Sequence, residues 1–245
     1  MLSAGPRELF EAGRLDEAIE ALGVALRSDP TDAQRRVFLF ELLAFAGDYE
    51  RAEKQLDVLA ANSPEAAVGT LVYRAALRAE RVRERMFESG EFPAGPRPAS
   101  VAGTLNGRSF ETLTDADPRV GARLEVFAGG QYMWLPLEHV AAVSMEAPTR
   151  LRDTRWSPAV VRVGPGLRDV ELGEILLPAL SPGAWHHPDS DVRLGRATDW
   201  DELADGSFAP AGQKMLLVDG ALVPLLSVRE LAVAPPAGST SAAPN

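Results

Sequence analysis

Two adjacent histidines, His186 and His187, with Asp189 and Asp191 close behind, are the nearest approach to a metal-ligand cluster in the chain. Successive side chains on an extended segment point to opposite sides, so these imidazoles do not converge on one ion. No third histidine stands at ligand spacing, and Asp in a Pro/Gly/Ser-rich stretch is a good loop former. No metal site is expected here. His139 lies in an apolar stretch and reads as a partly buried structural side chain. Asp115, Asp117, Asp153 and Asp199 are the acids that pairing could turn into a general acid and base. The Asp117-Pro118 and Arg152-Asp153 dipeptides among them suit turns and ion pairs better. Gly164-Pro165-Gly166 is too short to cradle a phosphate, and no G-x-x-x-x-G-K, G-x-G-x-x-G or G-x-S-x-G pattern occurs. With no cysteine, thiolate catalysis, disulfides, zinc–thiolate sites and iron–sulfur clusters are excluded. The residues suggest no enzyme and no cofactor.

The whole chain agrees with that reading. It has 245 residues, 46% of them hydrophobic, enough for one large domain or two modest ones with real cores. Net charge is −10, with 12 basic and 16 acidic residues up to Gly90 and 13 and 19 after it. Neither half has the basic stripe that nucleic-acid backbones demand. The start lacks the apolar core of a signal peptide, and no run approaches a membrane span, so a cytoplasmic protein is expected.

Stepping the sequence by 34 residues lays Ala12-Gly13-Arg14-Leu15-Asp16-Glu17-Ala18 on Ala46-Gly47-Asp48-Tyr49-Glu50-Arg51-Ala52, and Pro30 on Pro64, without a gap. That period resembles the tetratricopeptide repeat. Glycine lets two antiparallel helices turn, small Ala18 and Ala52 let them approach, and proline separates one unit from the next. Residues 5–28 and 31–62 therefore read as two helix pairs, followed by a longer helix from about Pro64 to Ser89 with Ser63 as its cap. Three prolines between Pro93 and Pro98 mark a stiff, exposed connection over 91–100.

Beyond it the apolar spacing changes to short β-type runs. Strands are expected at 101–105, 108–113, 123–128, 131–135, 140–145, 158–163, 170–177, 213–218, 221–225 and 228–233. Asn106-Gly107, Gly129-Gly130 and Asp219-Gly220 signal hairpins. The stretches from Leu124 to Val140 and from Leu216 to Val228 share one pattern: strand, glycine turn, strand, Pro-Leu, strand. The four tryptophans, Trp134, Trp156, Trp185 and Trp200, should mostly pack this β part. The tail 235–245 should be disordered. The expected fold is α+β: helical hairpins over 1–90, a Pro-rich linker over 91–100, and a mainly antiparallel β domain over 101–234.

Several segments resemble one family in order over roughly residues 7–233. They include Arg36-Val37-Phe38-Leu39-Phe40-Glu41-Leu42-Leu43, Tyr132-Met133-Trp134-Leu135-Pro136-Leu137, and Arg150-Leu151-Arg152-Asp153 with Trp156-Ser157-Pro158-Ala159. Arg196-Ala197-Thr198-Asp199-Trp200 and Pro224-Leu225-Leu226-Ser227-Val228-Arg229-Glu230 complete the set. The arrangement is similar to the ImpE family, also called TagJ or SciE-type, accessory components of bacterial type VI secretion. The resemblance implies a cytoplasmic, non-enzymatic adaptor that holds a helix of a TssB-like sheath protein, with a link to a ClpV-type ATPase. Where relatives insert a further helical stretch, only about nine residues bridge Pro93 and Gly103 here. A general repeat scaffold unrelated to secretion is the alternative.

In repeats of this type the first helix of each pair lines the concave face. If Leu39 and Leu43 face inward, Gln34, Val37, Glu41, Ala44 and Phe45 lie beside the groove. An apolar row flanked by Glu suits an amphipathic partner helix with basic edges.

Overall fold

The 34-residue spacing resolves into helices whose small residues sit where they pair. The computed structural model describes residues 4–164, 172 and 174–235. Helices α1 (Pro6–Glu11) and α2 (Leu15–Ser28) form the first hairpin, and α3 (Ala33–Phe45) and α4 (Tyr49–Ala60) the second. The long α5 (Pro64–Ser89) closes the array. Gly13 and Gly47 turn the chain with φ of 71° and 74°, a region that suits glycine. Ala18 and Ala52 are fully buried at the helix contacts, beside Leu15, Leu22 and Leu56. Side chains of Asp32, Asp48 and Ser63 accept from the backbone N–H groups of Arg35, Arg51 and Ala66, capping α3, α4 and α5.

Residues 91–100 form no helix or strand, yet they are anchored. The Phe92 ring stacks 5.5 Å from Trp134, and 5.2 Å from Phe87 near the end of α5.

The remainder is antiparallel. Eight strands form one sheet, in the order β2 (Arg108–Phe110), β1 (Gly103–Leu105), β13 (Glu230–Val233), β6 (Val140–Met145), β7 (Trp156–Val163), β8 (Glu174–Pro178), β4 (Arg123–Ala128), β5 (Gln131–Pro136). A three-stranded sheet runs β12 (Ala221–Pro224), β11 (Met215–Val218), β3 (Leu113–Asp115). Val126, Val143, Val161 and Leu177 of the large sheet share a core with Leu113, Leu216 and Leu225. The expected run 108–113 is thus divided between two sheets. The hairpin β9 (Thr198–Glu202) and β10 (Phe208–Gly212) adds to the expected strands, and its acidic strand lacks an apolar face that would signal it. A short α6 (Ser190–Arg193) precedes it.

The repeated sequence pattern has matching geometry. Both β4–β5 and β11–β12 end in a proline, Pro136 or Pro224, that leads into a 3₁₀ turn, Leu137–His139 or Leu225–Ser227. The strands that follow, β6 and β13, lie side by side. The tail after Pro235 and most of 165–173 lie outside the described residues, including part of the expected strand 170–177 and of Gly164-Pro165-Gly166.

Candidate functional site: a cleft between the helical array and the β part

Two surfaces meet along α3 and α5, and the larger share of that meeting is closed. Trp156 of β7 lies under α3 and α5, its ring 6.3 Å from both Phe40 and Tyr73. Its indole N–H donates to Glu80 at 3.0 Å. Arg155 donates to the Tyr49 hydroxyl at 2.9 Å, and Tyr49 in turn to Glu84 at 2.5 Å. Trp185 donates to Glu84 at 2.8 Å and lies over Gly47, where an added Cβ would fall 2.4 Å from the ring. The repeat glycine is therefore required twice, for its turn and for this contact.

Deeper in, Arg83 of α5 forks onto Glu125 of β4 at 2.7 and 3.1 Å and donates to the Leu180 carbonyl at 2.9 Å. Lys214 pairs with Glu125 and, at 2.5 Å, with Asp115. All four charged groups are buried. Burial would raise the Glu125 carboxyl, but Arg83 and Lys214 outweigh it and hold that group below its ordinary range. Burial pushes Asp115 up to about 6, against the pull of Lys214 and with the push of Glu125. The cluster ties α5 to the β part, and the cavity that Asp115 borders measures only about 10 Å³.

The other acids and histidines do not converge. Asp117 accepts from Arg119 at 2.6 Å, and Asp153 accepts from the backbone N–H groups of Thr149 and Arg150. Asp199 is exposed, 3.4 Å from His187 Nε2. Asp189 caps α6 by accepting from the Asp191 N–H at 2.8 Å, and His186 stacks on Trp185. His139 is half-buried at the end of its 3₁₀ turn. Among the described residues no three His, Asp or Glu are grouped to hold a metal ion.

Where the closed contact ends, a cleft of about 590 Å³ opens between α1, the first half of α3 and the segment before β7. Gln34 is exposed at its mouth and Val37 is half-buried on its floor, beside Phe38. Glu41 lies at the inner end, where Arg152 donates to it at 2.8 Å. Burial raises the Glu41 carboxyl, and Arg152 draws it back. Ala44 and Phe45 are instead interior, with 1% and 0% exposure, because the β part covers that end of α3 and sets Arg155 5.7 Å over the Phe45 ring. Of the five residues expected beside the groove, then, Gln34, Val37 and Glu41 line the cleft. Arg7, Arg150 and Arg152 complete it. In the sequence the segment Arg150–Asp153 carries only a family resemblance. Nothing in its spacing tells that it faces a helix 111 residues away.

The match to known proteins covers both parts. A family model described as ImpE protein matches residues 107–232, and one described as tetratricopeptide repeat matches residues 9–75. The chain is 33% identical over 261 aligned positions to the "Type VI secretion system accessory component TagJ" of Pseudomonas aeruginosa, covering 91% of this chain and 89% of that one. The chain belongs to the ImpE family. Its fold is also that of a crystal structure of protein VPA1032 from Vibrio parahaemolyticus, with a TM-score of 0.80 at 23% identity over 94% of this chain and 97% of that one. In this ImpE family member, no described helix is long and apolar enough to cross a membrane.

Proposed function

We propose that this ImpE family protein is a non-enzymatic, cytoplasmic accessory component of a bacterial type VI secretion system. The observation that carries the reading is its similarity, over nine-tenths of its length, to a relative named as such a component. In the finer reading, the cleft beside α3 docks an amphipathic helix of a TssB-like sheath protein, and the bound protein can link the sheath to a ClpV-type ATPase. Val37 and Phe38 supply an apolar floor, and a half-open cleft walled by a helical repeat is the geometry that receives a helix. Residues 1–90 then act as the docking array, 91–100 as the connection, and 101–234 as the support.

The test is capture of the sheath component from native lysate, together with the affinity for a peptide of its amino-terminal helix. Val37→Glu places an unpaired charge on the floor and should abolish both, since loss of a central apolar anchor costs about 2 kcal/mol or more. Undiminished capture by a folded Val37→Glu variant would refute the docking site. A wild type that captures no sheath protein would leave the general repeat scaffold as the better reading.

A further inference from the structure

We propose that the β part completes the docking cleft, so that the bound helix presents carboxylates to Arg7 and Arg150 while its apolar stripe lies on Val37 and Phe38. The proposal rests on the docking reading above and adds the sign of the partner's charge. From α3 alone, Glu41 suggests a partner with basic edges. The fold removes that attraction, because Arg152 from the β part occupies Glu41 within the cleft. The remaining cations on the walls point the other way. Arg7 and Arg150 are exposed and, among the described residues, form no ion pair within 4 Å. Arg7 is held over the Phe38 ring at 5.8 Å, which keeps its guanidinium at the rim of the apolar floor. Glu11, at the far end of α1, and Asp153, beside the Arg150 backbone, are carboxylates that offset part of this charge.

The opposite wall is fixed in place. Asp153 accepts from the N–H groups of Thr149 and Arg150 at 3.0 and 2.8 Å, and Arg152 bridges to α3. Arg150 is therefore presented across the cleft from Arg7 by a braced turn. Although the protein's net charge is −10, two guanidiniums without an ion pair among the described residues make the cleft itself select against a basic helix and for an acidic one. The helical repeats by themselves would lack one of the two cations.

The experiment uses the full chain and two synthetic 16-residue amphipathic helices with the same leucine stripe, one flanked by Glu and the other by Lys. Wild type should bind the Glu-flanked peptide about tenfold more tightly, and the preference should shrink as salt rises. The Arg7→Glu/Arg150→Glu variant should invert it. Both substitutions are at exposed positions, and unchanged melting would confirm that the variant is folded. Equal affinities, a preference for Lys in wild type, binding of neither peptide, or a Glu preference that survives in the double variant would overturn the proposal. Capture of the sheath protein and its loss in Val37→Glu are measured separately, so the docking reading can stand while the charge assignment falls.

Discussion

Helix α3 shows one repeat surface put to two uses. Along its C-terminal half, Phe40, Ala44 and Phe45 are sealed beneath Trp156 and Arg155 of the β part. Along its N-terminal half, Gln34, Val37 and Phe38 face Arg150 across open space. The halves also differ in sequence: the C-terminal one is apolar except for Glu41, whereas the N-terminal one carries Gln34, Arg35 and Arg36 beside Val37 and Phe38. A repeat array can thus fill part of its own concave face with its own chain, leaving a shorter site whose far wall lies outside the repeats.

Breaking the sealed end should give the largest effect. Arg83→Ala strands Glu125 and Lys214 in the interior without their third partner, and removal of one member of a buried pair costs about 3–5 kcal/mol. Thermal melting should fall by about 6–20 °C, or the variant should fail to fold. Arg83→Met, which keeps the volume but also breaks the fork, should melt below wild type as well. Little change in either variant would mean that the cluster contributes nothing net.

Gly47→Ala comes next. The added methyl meets the Trp185 ring at 2.4 Å and adopts a φ of 74° that L-residues rarely take. Crowding and strain together should cost about 1–3 kcal/mol. Gly13→Ala carries the same φ strain but meets only the side-chain oxygen of Asp191, at 3.2 Å, and should cost less. Equal losses at the two glycines would show that the Trp185 ring adds nothing to the strain of the turn itself.

Acidity should act on the sealed end with a definite sign. Asp115 has a folded pKa of about 6, above the ordinary 3.8, so between these values the native state binds more protons than the unfolded chain. Its contribution therefore falls as pH rises through that window and is largest below it. Glu125 works the other way: its folded pKa is depressed, so its contribution is present above the ordinary 4.5 and is lost as pH falls below that. Melting temperature should accordingly rise as pH is lowered from about 6.5 to 4.5 and decline once Glu125 takes over below about 4.5. Asp115→Asn should flatten the upper limb, by an amount on the order of 1 kcal/mol. An upper limb unchanged in Asp115→Asn would show that some other group sets it.

The smallest effect belongs to the open end. Arg150→Ala should alter stability by no more than about 0.5 kcal/mol, as expected for an exposed side chain without an ion pair. A substantial loss in melting would mean that Arg150 supports the fold and does not wait for a ligand.

The repeat helices were legible because their signals are local: the 34-residue period, Gly13 and Gly47 at the turns, and Ser63 before Pro64. The same holds for β4–β5 and β11–β12, whose glycine turns and Pro-Leu steps are written in consecutive residues. The β9–β10 hairpin escaped because Asp199, Asp201 and Glu202 leave no alternation to read. The fate of α3 was hidden for a different reason. Periodicity reports that Phe45 belongs on an apolar face, but not whether that face meets a partner or residue 155 of its own chain. Only the positions of Arg152, Arg155 and Trp156 decide it.

Arg83 has one more consequence. Its guanidinium has partners on β4 and at the Leu180 carbonyl, while Lys214, just before β11, completes the charge balance. The ImpE-type β part and its helical array are therefore not interchangeable modules. A chimera that took its first 90 residues from a relative without a guanidinium at this position would leave Glu125, Asp115 and Lys214 as a mismatched remnant. Exchange of helical arrays within the family, by recombination or by engineering, would succeed only when the incoming array supplies a guanidinium that matches this buried trio.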